Sequence, residues 1–288
     1  MKKYNFVHAG LLLLPTMLLL AAFTHMPTLK TVWRSFFSIR TNVTGEFTPS
    51  NYQFLFEDDV LWQVLSNSFW YMTITVPASI IIALTMAIWV NARLSGRSLL
   101  RLAYFTPTVL PMISVANIWL FFYSPEIGLF NSVMGWFGHD GYNWLGDPQT
   151  ALGSIMLMTV WKEAGFFMIF YLAALQGIRP DLYQAARLEG AGNLTVLWRI
   201  TLPLLMPTTL FVLVNAVLNA FKMVDHLFIL TKGGPNNASN LLLYYIYENA
   251  FSFFDTAYAA ALTVLLLIIL VFLAFIQFGV LERRIHYR

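Results

Sequence analysis

Eight polar or ionisable side chains stand inside long apolar stretches: Asn117, Lys162, Glu163, Asn215, Asn219, Lys222, Asp225 and His226. Charged groups surrounded by hydrocarbon are costly, so each needs a partner or a task. The steps of four, three and four residues from Asn215 to His226 would set Asn215, Asn219, Lys222 and His226 on one face of a continuous helix. Two chemistries fit such a set. Amides and an ammonium that donate, beside carboxylates that accept, could line a path for a hydroxyl-rich solute, with Trp119, Trp161 and Phe221 stacking on its faces. The same groups could instead bond from helix to helix, the reading preferred for Asn117. Lys162 with Glu163, or Lys222 with Asp225, could also satisfy each other. Lys222 and His226 on one face would suit an anionic solute. A lysine neutralised by Asp225 would suit a neutral sugar, which is slightly preferred.

Other chemistries are excluded by composition and spacing. The 288 residues contain no cysteine, which removes disulfides, thiolate metal sites and cysteine nucleophiles. His8, His25, His139, His226 and His286 show no paired metal-ligand spacing. No Walker-type phosphate loop and no Gly-x-Ser-x-Gly turn occurs. Glu126, Asp140 and Asp147 fall in a polar loop, where acidic groups are usually solvated. The formal charge of +3 is scattered along the chain, so nucleic acid is not an expected partner.

What must position the eight side chains is a chain built for a bilayer. Hydrophobic residues make up 58% and charged residues 11%, against the roughly one quarter charged in soluble domains, and the mean hydropathy is +0.66. Runs of about 20 apolar residues suit a membrane-spanning helix. They occur at Phe6–Met26, Ser66–Val90, Leu102–Tyr123, Ala151–Leu175, Leu204–Leu230 and Ala257–Val280. The first, preceded by Lys2 and Lys3, reads as an uncleaved helix because it is long and lacks a small-residue cleavage site. Pro107 and Pro111 should kink the third. Lys30–Leu61, Ser124–Thr150 and Leu241–Asp255 read as external segments, and Gly233-Gly234-Pro235 marks a turn within Thr231–Asn240.

With the N-terminus inside, internal segments hold Lys2, Lys3, Arg93, Arg97, Arg101, Arg179, Arg187, Arg199, Arg283, Arg284 and Arg288. External ones hold only Lys30, Arg34, Arg40 and Lys232. This positive-inside bias puts both termini in the cytoplasm. The expected fold class is an all-α integral membrane protein of about six transmembrane helices. Residues 1–65 would carry the first helix and an external loop, and residues 66–288 a five-helix core with a cytoplasmic loop at 182–203.

That internal loop carries the most specific pattern. Leu182–Leu188 are good helix formers, Gly190 and Gly192 supply a break, and Thr195–Leu202 suits a second short helix stopped at Pro203. The spacing Gln184-Ala185-Ala186, Gly190, Ile200, Leu202-Pro203 resembles the EAA loop of ATP-binding-cassette importer permeases, with Gln184 in place of the usual glutamate and Glu189 where aspartate is common. Ser50-Asn51-Tyr52 through Asn67, Trp161-Lys162, Ala173-Ala174-Leu175-Gln176, and Asp225 to Leu230 followed by Thr231 and Gly233-Gly234-Pro235 resemble the maltose- and glycerol-3-phosphate-type branch of the carbohydrate family.

The resemblance implies a type I importer permease, not an enzyme, in a bacterial inner (cytoplasmic) membrane and surrounded by its lipid. It implies a second, homologous permease subunit and two ATPase subunits that hold the ATP and magnesium, this chain binding no cofactor. A periplasmic or lipid-anchored solute-binding protein would dock outside. Gln184, Ala185, Ala186, Glu189, Gly190, Ile200, Leu202 and Pro203 would form the ATPase-docking knob. The solute would be a sugar, polyol, glycerol phosphate or acidic sugar derivative. An ion-gradient-coupled carrier is the alternative, because it too needs intramembrane Asp, Glu and Lys.

Overall fold

A computed structural model describes residues 4–37, 47–92, 97–139 and 141–281. Lys2, Lys3, Arg40, Arg93, Asp140, Arg283, Arg284, His286 and Arg288, which entered the readings above, lie outside the described residues. Among the described residues the regular elements are helical, apart from an isolated bridge between Phe37 and Phe47. Helix α1 (Tyr4–Leu20) passes through a π-helical turn at Ala21–His25 into α2 (Met26–Arg34), and α3 (Ser50–Glu57) precedes α4 (Asp59–Asn91). Then come α5 (Arg97–Val109), α6 (Met112–Phe122), α7 (Leu129–Trp136), α8 (Ala151–Gly177), α9 (Pro180–Leu188) and α10 (Asn193–Val196). A π-helical turn at Leu197–Thr201 leads into α11 (Leu202–Lys222), followed by α12 (Asp225–Leu230), α13 (Leu242–Tyr247) and α14 (Thr256–Ile276).

Among the described residues, five stretches are long and apolar enough to cross a bilayer: His8–Arg34, Asp59–Asn91, Ala151–Gly177, Asn193–Leu230 and Thr256–Gly279. The pair Ser98–Val109 and Met112–Phe122, bent by 104°, is a sixth when taken as one span. These overlap the six apolar runs, and the largest differences are extensions at Arg34, Asp59 and Asn193. The first span continues to Arg34 and the second begins at Asp59, so much of Lys30–Leu61 is helix rather than loop. A helix once nucleated closes one hydrogen bond per added residue. The 33 residues of α4 therefore extend about 50 Å, past the roughly 30 Å of hydrocarbon.

The chain divides into two compact units, Met1–Asp59 with Ile246–Ile269, and Val60–Tyr245 with Leu270–Arg288. In the first, the Asn51 amide donates to the carbonyls of Ser35 and Phe37, both at 2.9 Å, and the Ser35 and Tyr52 hydroxyls meet at 2.6 Å. The Ser-Asn-Tyr run at 50–52 thereby ties α3 to the end of α2. Arg34 donates to the Thr256 hydroxyl at 2.6 Å.

In the second unit, Tyr71, Trp119, Tyr123, Ile155, Leu227 and Leu230 belong to one buried cluster. The Asn67 amide donates to the carbonyls of Asn237 (2.8 Å) and Asn240 (3.1 Å), anchoring the Gly-Gly-Pro loop to α4. Gly233 in that loop has φ +78, and a Cβ there would stand 3.0 Å from Asn240 Cγ.

Helices α5 and α8 meet at Gly165, where an added Cβ would lie 2.3 Å from the Tyr104 carbonyl oxygen. Backbone cannot yield as a flexible side chain can, and overpacking costs about 1–3 kcal/mol. Gly165→Val is therefore expected to lower the yield of folded protein about tenfold. Gly153→Ala, which meets open space, should leave it unchanged in the same size-exclusion assay.

Candidate functional site

The third span breaks at Leu110–Pro111, between α5 and α6. Pro111 has no N–H, so the Pro107 carbonyl loses its helical donor, and the bend frees the Leu110 carbonyl as well. Lys162 of α8 supplies the missing donors. Its Nζ lies 3.0 Å from the Pro107 oxygen and 2.7 Å from the Leu110 oxygen, and the side chain is only 7% exposed. An ammonium at this point also complements the negative end of the α5 dipole. The lysine thus spends its donors on backbone rather than on Glu163. One residue further along α8 is about 100° further round the helix, and Glu163 accepts from the Asn219 amide of α11 at 2.8 Å.

Glu163 and Asn219 belong to a buried polar seam that joins α4, α8, α11 and α12. The Tyr71 hydroxyl bonds the Thr159 hydroxyl at 2.8 Å and His226 Nε2 at 3.2 Å. Thr75, Ser79, Thr159, Glu163 and Asn219 line a cavity of about 10 Å³, close to the threshold for one water. Tyr71 and Thr159 were not singled out from sequence. Their hydroxyls are uncharged and common in apolar helices, and only the i, i+4 spacing of Tyr71 and Thr75 in α4 hints at a polar stripe.

The proposed single face from Asn215 to His226 does not exist. Helix α11 ends at Lys222, Met223 is extended (ψ 105), and His226 begins anew in α12, where it is wholly buried against Tyr71. Lys222 falls in the last turn of α11 and Asp225 in the first turn of α12. Each complements the dipole of its own helix end. Trp119 and Phe221 are buried too, which removes them from stacking on a solute, whereas Trp161 is 40% exposed.

The eight candidates therefore separate into two groups. Lys162, Glu163 and His226 are buried and bonded within the chain, with Asn219 bonded to Glu163. Asn117, Lys222 and Asp225 are exposed, and Asn215 is half-buried. Asn117 and Asn215 donate to carbonyls of their own helices, Ile113 at 2.9 Å and Phe211 at 2.7 Å, rather than to a neighbouring helix.

In the polar loop at 182–203, α9 is closed by a Schellman cap. Gly190 takes φ +77, its N–H donates to the Arg187 carbonyl at 3.0 Å, and the Ala191 N–H reaches the Ala186 carbonyl at 2.9 Å. Gln184, Ala185, Glu189 and Gly190 are exposed, and Leu188 stands 90% exposed beside them. Ala186 is buried, so it holds the knob together and does not face outward. The loop does not end at Pro203 as expected. Asn193–Leu230 is one span-length stretch, because proline is tolerated in the first turn of α11 and the π-helical turn before it shifts the hydrogen-bond register. Ile200 and Leu202 are half-buried along this stretch, and Pro203 is exposed.

Residues 60–287 match the family described as binding-protein-dependent transport system inner membrane component. The chain belongs to this family. This transport component is 33% identical to the sulfoquinovosyl glycerol transport system permease protein SmoG of Agrobacterium fabrum, over 90% of the chain and 85% of that protein. It is 33% identical to the trehalose/maltose transport system permease protein MalF of Thermococcus litoralis, over 82% and 81%. Its identity to the sn-glycerol-3-phosphate transport system permease protein UgpA of Yersinia pestis is 30%, over 96% and 95%. Its fold is that of a chain in the crystal structure of a bacterial ABC transporter involved in the import of the acidic polysaccharide alginate, with TM-score 0.85 at 22% identity over 98% and 96%. A second structure of an alginate transporter, in complex with an alginate pentasaccharide-bound periplasmic protein, matches equally, with TM-score 0.85.

Several motif residues of this inner-membrane component now have physical tasks. Asn51 and Asn67 clamp carbonyls, Lys162 caps a broken span, and Gly190 closes the knob.

Proposed function

We propose that this permease moves a sugar, polyol or glycerol-linked solute inward, driven by ATP hydrolysis on two partner ATPases that dock on its cytoplasmic knob. The observation that carries this reading is the capped α9 with Leu188 at its surface, joined through Gly190 to the long stretch that bears Asn215 and Lys222. A push on the knob would tilt that stretch. A second permease subunit would complete the path, with nucleotide and magnesium held by the ATPases and both termini cytoplasmic. A solute-binding protein would deliver the solute to the external segments. The solutes for which the relatives are named support the solute class, and the alginate complex supports a periplasmic delivery protein.

Asn117, Asn215, Lys222 and Asp225, with the exposed edge of Trp161, are the accessible groups assigned to the path. Gln184, Ala185, Leu188 and Glu189 are assigned to the ATPase contact. An exposed lysine at the end of α11 suits solutes that carry a negative charge as well as hydroxyls. Ligands retained by the purified cognate binding protein would name the solute. If that solute is anionic, Lys222→Ala should slow its uptake roughly tenfold, the scale of a lost charge-assisted hydrogen bond. An unchanged rate would remove Lys222 from the path.

A further inference from the structure

Helix α7 and the residue after it form an apolar surface outside the six spans. Gly128 makes the entry so tight that a Cβ there would sit 2.3 Å from the Ser124 oxygen and 2.6 Å from the Phe122 oxygen. Helix α7 therefore starts against the last turn of α6, at the end of the third span. Its inner side is fixed. The buried Asn131 side chain donates to the carbonyls of Pro125 and Tyr142 and accepts from the Tyr142 N–H and the Trp144 indole. The Phe130 ring packs on Trp119, Tyr123 and Trp144.

The outer side is left bare. Leu129 and Trp136 share one helix face, Trp136 is 82% exposed, and Phe137 beside it is 76% exposed. Because the inner side is locked, these rings cannot turn into the core. Large apolar side chains exposed together in this way call for a partner. The membrane–water interface is the medium that indole and phenyl rings at a span's end favour.

We infer that α7 is an interfacial anchor, with Trp136 and Phe137 seated in the lipid headgroup layer at the end of the third span. Glu126 is the only Lys, Arg, Asp or Glu from Ser124 to His139, so nothing in this segment seeks anionic lipid. Anchoring should be indifferent to headgroup charge.

The chain is naturally free of cysteine, which allows nitroxide labels at Trp136→Cys and Phe137→Cys, with Gln149→Cys as the loop control. The assembled transporter would be placed in nanodiscs of phosphatidylcholine, with and without phosphatidylglycerol. Collisions with oxygen should exceed those with a water-soluble nickel chelate at 136 and 137, with the reverse at 149. The pattern should be the same in both lipids and after adding the binding protein. Equal nickel access at 136, 137 and 149 would mean an aqueous surface and would overturn the inference. So would low access to both reagents, which indicates a covering subunit, or protection that appears only with the binding protein. A change with phosphatidylglycerol would overturn the claim of charge indifference. If the Trp136 variant does not assemble, the Phe137 label alone decides.

Discussion

Replacing Lys162 with methionine is expected to destabilise the permease and reduce transport by more than about tenfold, while Lys162→Arg retains much of both. Methionine fills similar volume but donates nothing, so the Pro107 and Leu110 carbonyls lose their donor inside the protein. Each buried acceptor left unsatisfied costs about 1–3 kcal/mol. Arginine keeps the charge and can still reach backbone oxygens. The check is the thermal unfolding midpoint of the solubilised protein alongside uptake per folded molecule. A solute-path role predicts the opposite division: an unchanged midpoint and a raised KM for the solute. Unaltered stability with methionine at 162 would refute the capping account.

The second large effect concerns the knob. Leu188→Asp is expected to leave membrane insertion and the unfolding midpoint unchanged, because the side chain is 90% exposed. ATP-driven uptake should nonetheless fall about thirtyfold or more, since a hot-spot side chain contributes about 2 kcal/mol or more to a protein interface. Gly190→Val acts on the same contact from within. A β-branched residue at φ +77 is strained by at least about 1–2 kcal/mol and would unseat the cap. The native absence of cysteine makes a direct version simple. Leu188→Cys should cross-link to the ATPase subunit, whereas Ala186→Cys, buried within α9, should not. Equal cross-linking at both positions would place the contact elsewhere.

How much of this was readable in the chain depends on where each partner group lies. The spans were legible because twenty apolar residues in a row have little alternative to a bilayer. Gly190 was legible because a left-handed residue after a helix favours glycine. Pro107 and Pro111 foretold a bend in the third span, but not the 104° angle nor the lysine that stabilises it. The acceptors of Lys162 are backbone carbonyls some fifty residues away, and a carbonyl has no letter in the sequence.

The polar stripe failed for a related reason. Nothing at Met223-Val224 is a helix breaker, so the periodic reading ran on to His226. The buried contact with Tyr71 is a tertiary preference that overrides local pattern. Pro203 misled in the other direction, because a proline in a first turn starts a helix as readily as it ends one.

The central claim is that ATP hydrolysis on docked subunits drives solute entry through this chain. It is tested most directly by purifying the two permeases with and without their ATPase and reconstituting each into vesicles with the loaded binding protein on the receiving side. Uptake should appear only with the ATPase and ATP present, should be indifferent to proton or sodium gradients, and should be abolished by Leu188→Asp. Uptake driven by an ion gradient in vesicles that lack the ATPase would contradict the account.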